Sequence, residues 1–339
     1  MTRAAIAIAS ATGCHACETT ILDIHHGIND LTRWAEIRYW PYLLGSEPAD
    51  LESAGRLDAA FFTGAIATEA DRVLAEALRA AADRLVAVGA CAAYGGLPGL
   101  RNIAASHAET SEVSKTLETS EVSADQEPLP DALALPPSEP AVRSLDAVVP
   151  VDAYVPGCPA PQNLLWAALA ACVCDGIADS RVSFAAARLP DEVIRPILSG
   201  NGPPPGASFA GEKAVCASCS RLKEEKRFKE VKRPHQAYEA TGRCLLEQGL
   251  ICDGIATREG CGGLCTGVGV PCRGCYGKAP AVYDPGAKMV SAISSTFETE
   301  RPEEIQRIAD RFVDMTGTFY RYTLPAQCTL LGGGRDLKT

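Results

Sequence analysis

The sequence predicts an α/β fold: a first domain, residues 1–185, built on a parallel sheet, and a second, residues 186–339, with little regular structure. Three observations carry this. Short apolar runs such as Ala4–Ser10 and Leu57–Phe62 have the length and composition of parallel strands buried on both faces. Between them lie stretches with helical periodicity. Past the first domain cysteine takes over, with six cysteines between Cys244 and Cys275, interleaved with glycine.

Taken in order, Ala4–Ser10 is the first strand. A glycine turn, Gly13-Cys14-His15-Ala16-Cys17-Glu18, then leads into a helix over Thr19–Ile28, where Ile21, Ile24 and Ile28 share a face. Further strands are expected at Ala35–Trp40, Leu57–Phe62, Arg84–Val88 and Val148–Val155, with helices at Thr68–Ala82 and Gln162–Cys174. The third strand ends in Thr63-Gly64-Ala65, the fourth in Gly89-Ala90-Cys91 and the fifth in Pro156-Gly157-Cys158-Pro159. Strands and helices alternating in this way give the domain a flavodoxin-like character. Residues 103–147 turn to Ser, Thr, Glu and Pro, and Glu-Thr-Ser-Glu-Val-Ser occurs at both 109–114 and 118–123, so this stretch reads as a mobile acidic insertion. Near the C-terminus Ile305, Ile308, Phe312 and Met315 form one stripe, predicting an amphipathic helix over Pro302–Met315 that Gly317 ends.

At 339 residues and 47% hydrophobic content, the chain has room for two cores. No apolar run reaches the ~20 residues of a membrane span; Leu74–Val88 is broken by Glu76, Arg79, Asp83 and Arg84. The short apolar N-terminus is not read as a secretory leader, because the candidate ligands begin already at Cys14 and no twin-arginine pair precedes it. Fifteen cysteines without an export signal point to a reducing compartment, the cytoplasm, where thiols hold metals more often than they form disulfides. The formal net charge of −10 argues against nucleic acid as a partner and leaves proteins or small molecules.

Cys14, Cys17, Cys91 and Cys158 each follow a predicted strand. In an open parallel sheet the loops past the carboxyl ends gather at one edge, so three separate loops can bring four thiolates to one point. A single buried cysteine is commonly just a small hydrophobe, but four in the same topological position are not explained that way. The second domain offers eight more, Cys216, Cys219, Cys244, Cys252, Cys261, Cys265, Cys272 and Cys275. Two sets of four in glycine-rich loops suit iron-sulfur clusters or tetrahedral zinc. Zinc would take Cys216-x-x-Cys219 and Cys272-x-x-Cys275 as the knuckles of a ribbon, and would leave the first domain's four cysteines unexplained.

The motifs Gly13-Cys14-His15-Ala16-Cys17-Glu18, Gly89-Ala90-Cys91, Pro156-Gly157-Cys158-Pro159 and Pro271-Cys272-Arg273-Gly274-Cys275-Tyr276-Gly277, in this order, resemble the small, electron-transferring subunit of nickel-iron hydrogenases, especially the cytoplasmic multi-subunit kind. The resemblance spans nearly the whole chain apart from the acidic insertion. It implies that Cys14, Cys17, Cys91 and Cys158 hold a 4Fe-4S cluster proximal to a nickel-iron centre in a separate large subunit. It also implies a medial cluster on Cys261, Cys265, Cys272 and Cys275 and a distal one on Cys216, Cys219, Cys244 and Cys252. Membrane-linked relatives often have a histidine at the first distal position and a 3Fe-4S medial cluster. Cys216 and Cys265 stand here instead, so three 4Fe-4S clusters are expected. Electrons from hydrogen oxidation, or toward proton reduction, would pass through them to a further redox subunit or a soluble acceptor.

In the family an acid at the position of Glu18 helps move protons; read from the residues alone, Glu18 serves equally as a charge favourable to a helix start. Thr63 replaces an acid that many relatives carry. Two other readings are a hydrogen-sensing regulatory subunit and the cluster subunit of a complex-I-like quinone reductase. The latter typically has adjacent paired cysteines and no eight-cysteine domain. His15, His25 and His26 read as surface histidines, and His235 lies too far from Cys219 to be a ligand by spacing. The charged run Arg221–Arg233 reads as a solvated face or a dock for an acidic redox partner, and Cys172, Cys174 and Cys328 read as structural thiols.

Overall fold

The computed structural model describes residues 3–24, 27–103, 136–173, 189–224, 230–233, 235, 239–312 and 314–328. Eight strands are formed among them: β1 Ala4–Ser10, β2 Ala35–Tyr39, β3 Leu57–Thr63, β4 Ile66–Thr68, β5 Ala82–Val88, β6 Ser138–Arg143, β7 Ala153–Val155 and β8 Ala207–Ser208. Six make a sheet in the order β2-β1-β3-β5-β7-β8, with every pairing parallel. This is the expected α/β, flavodoxin-like arrangement.

The period of two along each strand sorts side chains to two faces. Ile6, Ile8, Phe61, Val86 and Val88 face one core, shared with Ile21 and Leu31 and with Leu164, Leu165 and Leu169. These belong to helices α1 (Ala16–Leu22), α2 (Gly27–Trp34) and a later helix, Gln162–Val173. Ala7, Ala9, Ala60, Phe62 and Leu85 face the other core, where Ala75 and Leu78 of helix Glu69–Ala81 pack on them. Burying each large apolar side chain of this kind contributes about 1.5–3 kcal/mol. The helix Glu69–Ala81 starts in a capping box between Thr68 and Asp71. The same Asp71 carboxylate accepts the N–H groups of Thr12, Ala67 and Thr68, tying the turn after β1 to the helix start.

Several sequence expectations change. The helix expected over Thr19–Ile28 is two helices, α1 ending at Leu22 and α2 beginning at Gly27; His25 and His26 lie outside the described residues. Trp34 at the end of α2 stacks on Trp166, with ring centroids 5.3 Å apart, which fixes α2 against the later helix. Of the expected insertion, residues 104–135 lie outside the described residues, but Ser138–Arg143 is strand β6, antiparallel to β4, and Leu145 is fully buried. The fifth strand shortens from Val148–Val155 to Ala153–Val155. The sixth strand of the main sheet comes from beyond residue 186. The C-terminal helix Pro302–Met315 stops at Ala309, and Gly317 does not end it. A second helix, Met315–Phe319, contains Gly317, because the Asp314 side chain caps it by accepting the Gly317 N–H at 2.7 Å.

Past residue 250, Met289, Ile293, Ile308, Phe319 and Leu324 pack on Ile251 and Ala256, while the cysteine loops stay irregular. The later residues pack closely on the sheet's loops, and Phe209, Ala210 and Tyr276 join the first core. Tyr94 O–H donates to the Tyr276 carbonyl (3.0 Å), and Gly96 N–H donates to the Tyr322 carbonyl (3.1 Å). A Cβ on Gly95 would stand 2.4 Å from Pro325, so only glycine admits this approach. Among the described residues no helix is long and apolar enough to cross a membrane.

Candidate functional site

Cys14 and Cys17 follow β1, Cys91 sits in the helix Gly89–Tyr94 after β5, and Cys158 follows β7. All four therefore leave the carboxyl edge of the sheet. They stand near enough to act on one another electrostatically: Cys91 feels Cys158, Cys17 and Cys14. Burial is the main cause that pushes the Cys91 thiol up to about 12, and Cys17 to about 11. The Ala160 N–H donates to the Cys17 sulfur, the Leu97 N–H to Cys91, and the Tyr322 hydroxyl to Cys158. Backbone clearance is tight. A Cβ on Gly89, at φ +84°, would lie 2.4 Å from Cys17 Sγ, and one on Gly96, at φ +57°, would lie 2.4 Å from Cys91 Sγ.

Further along the chain Cys216, Cys219, Cys244 and Cys252 line one small cavity together with Gly254 and Thr266. Cys219 Sγ hydrogen-bonds Thr266 Oγ1 at 3.3 Å. Burial pushes Cys252 up to about 12, opposed by N–H donation from Gly254 and Cys272. Of the other four, Cys265 feels Cys261, and Cys275 feels Cys272 and Cys261. Burial raises both the Cys272 and Cys275 thiols, against N–H donation from Gly274 and a hydroxyl bond from Thr257 to Cys272.

The three sets touch in series. The Cys158 backbone and sulfur both act electrostatically on Cys275, and the Cys272 N–H donates to Cys252 Sγ at 3.3 Å. The two Cys-x-x-Cys pairs of the zinc-ribbon reading fall in different sets, since Cys216 and Cys219 line the cavity with Cys244 and Cys252. Among the described residues every cysteine is a free thiol, and no three His, Cys, Asp or Glu side chains are grouped tightly enough to hold a single metal ion.

Glu18 is fully buried in the first turn of α1. Its Oε1 accepts the Trp40 indole N–H (3.1 Å), and its Oε2 meets His15 Nδ1 (2.8 Å). His15 Nδ1 also meets Ser10 Oγ at 3.1 Å, and Ser10 Oγ accepts the Thr63 hydroxyl at 3.0 Å. His15 takes a left-handed φ of 59° and stacks on Tyr42. The histidine is exposed, as expected, but it is tied to the buried acid, and the place of the missing acid at Thr63 is filled by a hydroxyl in the same chain. Trp40 escapes a reading of the sequence; the three-residue spacing of His15 and Glu18 at a helix start is the available signal. Trp40→Phe removes the indole N–H from a buried carboxyl and leaves a void, because a single phenyl ring cannot fill the space of the fully buried indole. The expected cost is about 3 kcal/mol or more, measured as a lowered denaturation midpoint.

Asp253 escapes the sequence too. Burial pushes its carboxyl up to about 7, against the opposing pull of Arg273 and Arg321. Both of its oxygens lack a hydrogen-bond partner among the described residues. His235 is exposed, Cys172 and Cys328 are buried in the cores, and Cys174 lies outside the described residues. Of the charged run, residues 225–229 lie outside the described residues. Arg221 is knit in rather than solvated, donating to the Thr266 and Arg243 carbonyls.

Comparison with known proteins places this geometry. The family described as "NADH ubiquinone oxidoreductase, 20 Kd subunit" matches residues 14–172, which spans the first domain's cysteines. A subunit of the F420-non-reducing hydrogenase of Methanothermobacter thermautotrophicus is 31% identical over 316 residues, covering 93% of this chain and 92% of that protein. The iron-sulfur subunit of the F420-non-reducing hydrogenase of Archaeoglobus profundus is 30% identical over 331 residues, covering 92% and 94%. Among solved structures, a chain of the Dm. baculatum [NiFeSe]-hydrogenase is 18% identical with a TM-score of 0.49, covering 81% of this chain and 95% of that one. The sequence likenesses run through the cysteine-rich second domain as well as the sheet, and the chain belongs to the family of nickel-iron hydrogenase small subunits, part of an oxidoreductase.

Proposed function

We propose that this subunit conducts electrons between a nickel-iron site in a large-subunit partner and an acceptor at the far end of its second domain. The observation that carries this reading is the serial contact of three cysteine sets, from Cys158 to Cys275 and from Cys272 to Cys252. Cys14, Cys17, Cys91 and Cys158 would hold the proximal 4Fe-4S cluster, Cys261, Cys265, Cys272 and Cys275 the medial one, and Cys216, Cys219, Cys244 and Cys252 the distal one. When bound, such clusters supply one-electron redox chemistry.

The donor set fits. Four cysteines gather in each set, and in the first the absence of a Cβ at Gly89 and Gly96 leaves room beside the sulfurs of Cys17 and Cys91, which suits a group held by thiolates. The chain's own part is to fix these positions and set the charge balance. N–H donors from Ala160, Leu97, Gly254 and Gly274, with the hydroxyls of Tyr322 and Thr257, point at ligand sulfurs and favour added negative charge. Burial of the thiols means that each ionises only against a compensating positive charge. Glu18, linked through His15 to an exposed ring, is the residue proposed to hold and pass a proton beside the proximal set.

The test is reduction under hydrogen. In the anaerobic complex with its partner, hydrogen alone is expected to bleach the visible absorbance of this subunit and raise EPR signals from all three sets. Bleaching confined to one cluster, with the rest silent under hydrogen and under dithionite, would sink the reading.

A further inference from the structure

We propose that the second domain binds a phosphate-class oxyanion in a cavity of about 300 Å³ lined by Lys232, Arg233, Arg273, Arg311 and Arg321. Five cationic side chains meet there in a chain whose net charge is −10. The one acid in the lining, Asp314, already accepts the Gly317 N–H. Leu250, Ile251, Pro271 and Phe312 supply apolar wall on one side, while Arg233 and Arg311 stay exposed at the rim.

Arg273 donates to the Ile251 carbonyl at 3.4 Å, but Arg321 is incompletely answered from within. The Arg321 Nε–H is buried with no acceptor among the described residues, a state native folds rarely leave unexplained. Asp253 acts on Arg273 and Arg321 through space, yet neither of its oxygens takes a hydrogen bond from either. Lys232 pairs with Glu230 at 3.2 Å, where Glu230 is largely exposed, and such rim pairs are weak. Guanidinium forks match phosphate oxygens in pairs, so arginines converging in a cavity select this anion class over chloride. The volume lies at the small end of ligand pockets, which suits a diphosphate better than a whole dinucleotide. The diphosphate is either free or the tail of a nucleotide whose base stays outside.

The position has a consequence for the redox centres, which rests on the cluster reading above. Ile251 precedes Cys252, while Pro271 and Arg273 flank Cys272. Negative charge placed there disfavours an added electron on the medial and distal sets. Bound oxyanion therefore lowers their potentials and regulates flow toward the acceptor.

The experiment uses the whole anaerobic complex, exchanged into phosphate-free chloride buffer, titrated calorimetrically with pyrophosphate, ADP and adenosine. Saturable binding of one pyrophosphate per chain is expected, weakening with added salt, and adenosine is expected not to bind. Arg321→Gln and Arg311→Gln are each expected to weaken pyrophosphate by about tenfold. Arg311 is exposed, so its variant carries the test if Arg321→Gln fails to fold. Tighter binding of ADP than pyrophosphate identifies a nucleotide as the source; equal binding identifies the free anion. Absence of saturable binding by both, or affinity unchanged in Arg311→Gln, would overturn the site. Binding needs no cluster, so its failure is distinguishable from failure of the electron-transfer reading. A downward shift of the medial and distal potentials at saturating pyrophosphate is expected, and binding without that shift overturns the regulation alone.

Discussion

Cys275→Ser is expected to stop hydrogen-driven dye reduction while hydrogen–deuterium exchange at the partner's metal site continues. Cys275 is the residue on which two sets meet: it feels Cys272, Cys261 and Cys158, the last through both backbone and sulfur. Substituting a hydrogen-bonding neighbour of a metal ligand typically costs about 10–100-fold, so losing Cys275, the proposed ligand itself, should exceed about 100-fold in electron delivery. The variant should also lose about four iron per chain if serine cannot replace the thiolate. Exchange needs only the partner's site, so its survival separates a cut conductor from a collapsed complex. Dye reduction at the unchanged rate would show that electrons bypass Cys275.

The second large effect is expected at Gly89. Alanine there carries two penalties. The left-handed φ of +84° costs an L-residue roughly 1–2 kcal/mol. The new methyl would also stand 2.4 Å from Cys17 Sγ, which α1 and the Ala160 N–H hold in place. The expected sum is about 3 kcal/mol or more, with loss of the first domain's iron, checked by denaturation midpoint and iron analysis. Gly45→Ala is the control. Its φ is +65° and nothing lies within 4 Å of the added atom, so only the backbone penalty of roughly 1 kcal/mol applies and iron is retained.

What sequence made legible depended on how local the cause was. Strands β1, β3 and β5 announced themselves because a parallel strand buried on both faces is apolar over most of its length, the charged Asp58, Asp83 and Arg84 lying only near the strand starts, and the cysteines beyond them followed from topology. Strand β6 was hidden. Ser138–Arg143 is mostly exposed and contains Pro140, so its composition looks unstructured, yet it is held by β4, by an Arg72–Glu139 ion pair at 3.1 Å and by Asn102, which hydrogen-bonds both the N–H and carbonyl of Val142. Gly317 misled for a similar reason: glycine is a local stop signal, but Asp314 restarts the helix around it. The Glu18 network depends on Trp40, twenty-two residues away, and no periodic pattern links them. The cationic cavity is less legible still, since its five residues are scattered from 232 to 321 and meet only in the fold.

Metal analysis of the anaerobically purified complex, with EPR of the reduced sample, tests the central claim most directly. Three clusters on the twelve assigned cysteines predict about twelve iron and twelve sulfide per chain, with nickel confined to the partner. About four iron with two zinc per chain would contradict the account, leaving the first domain as the only redox centre.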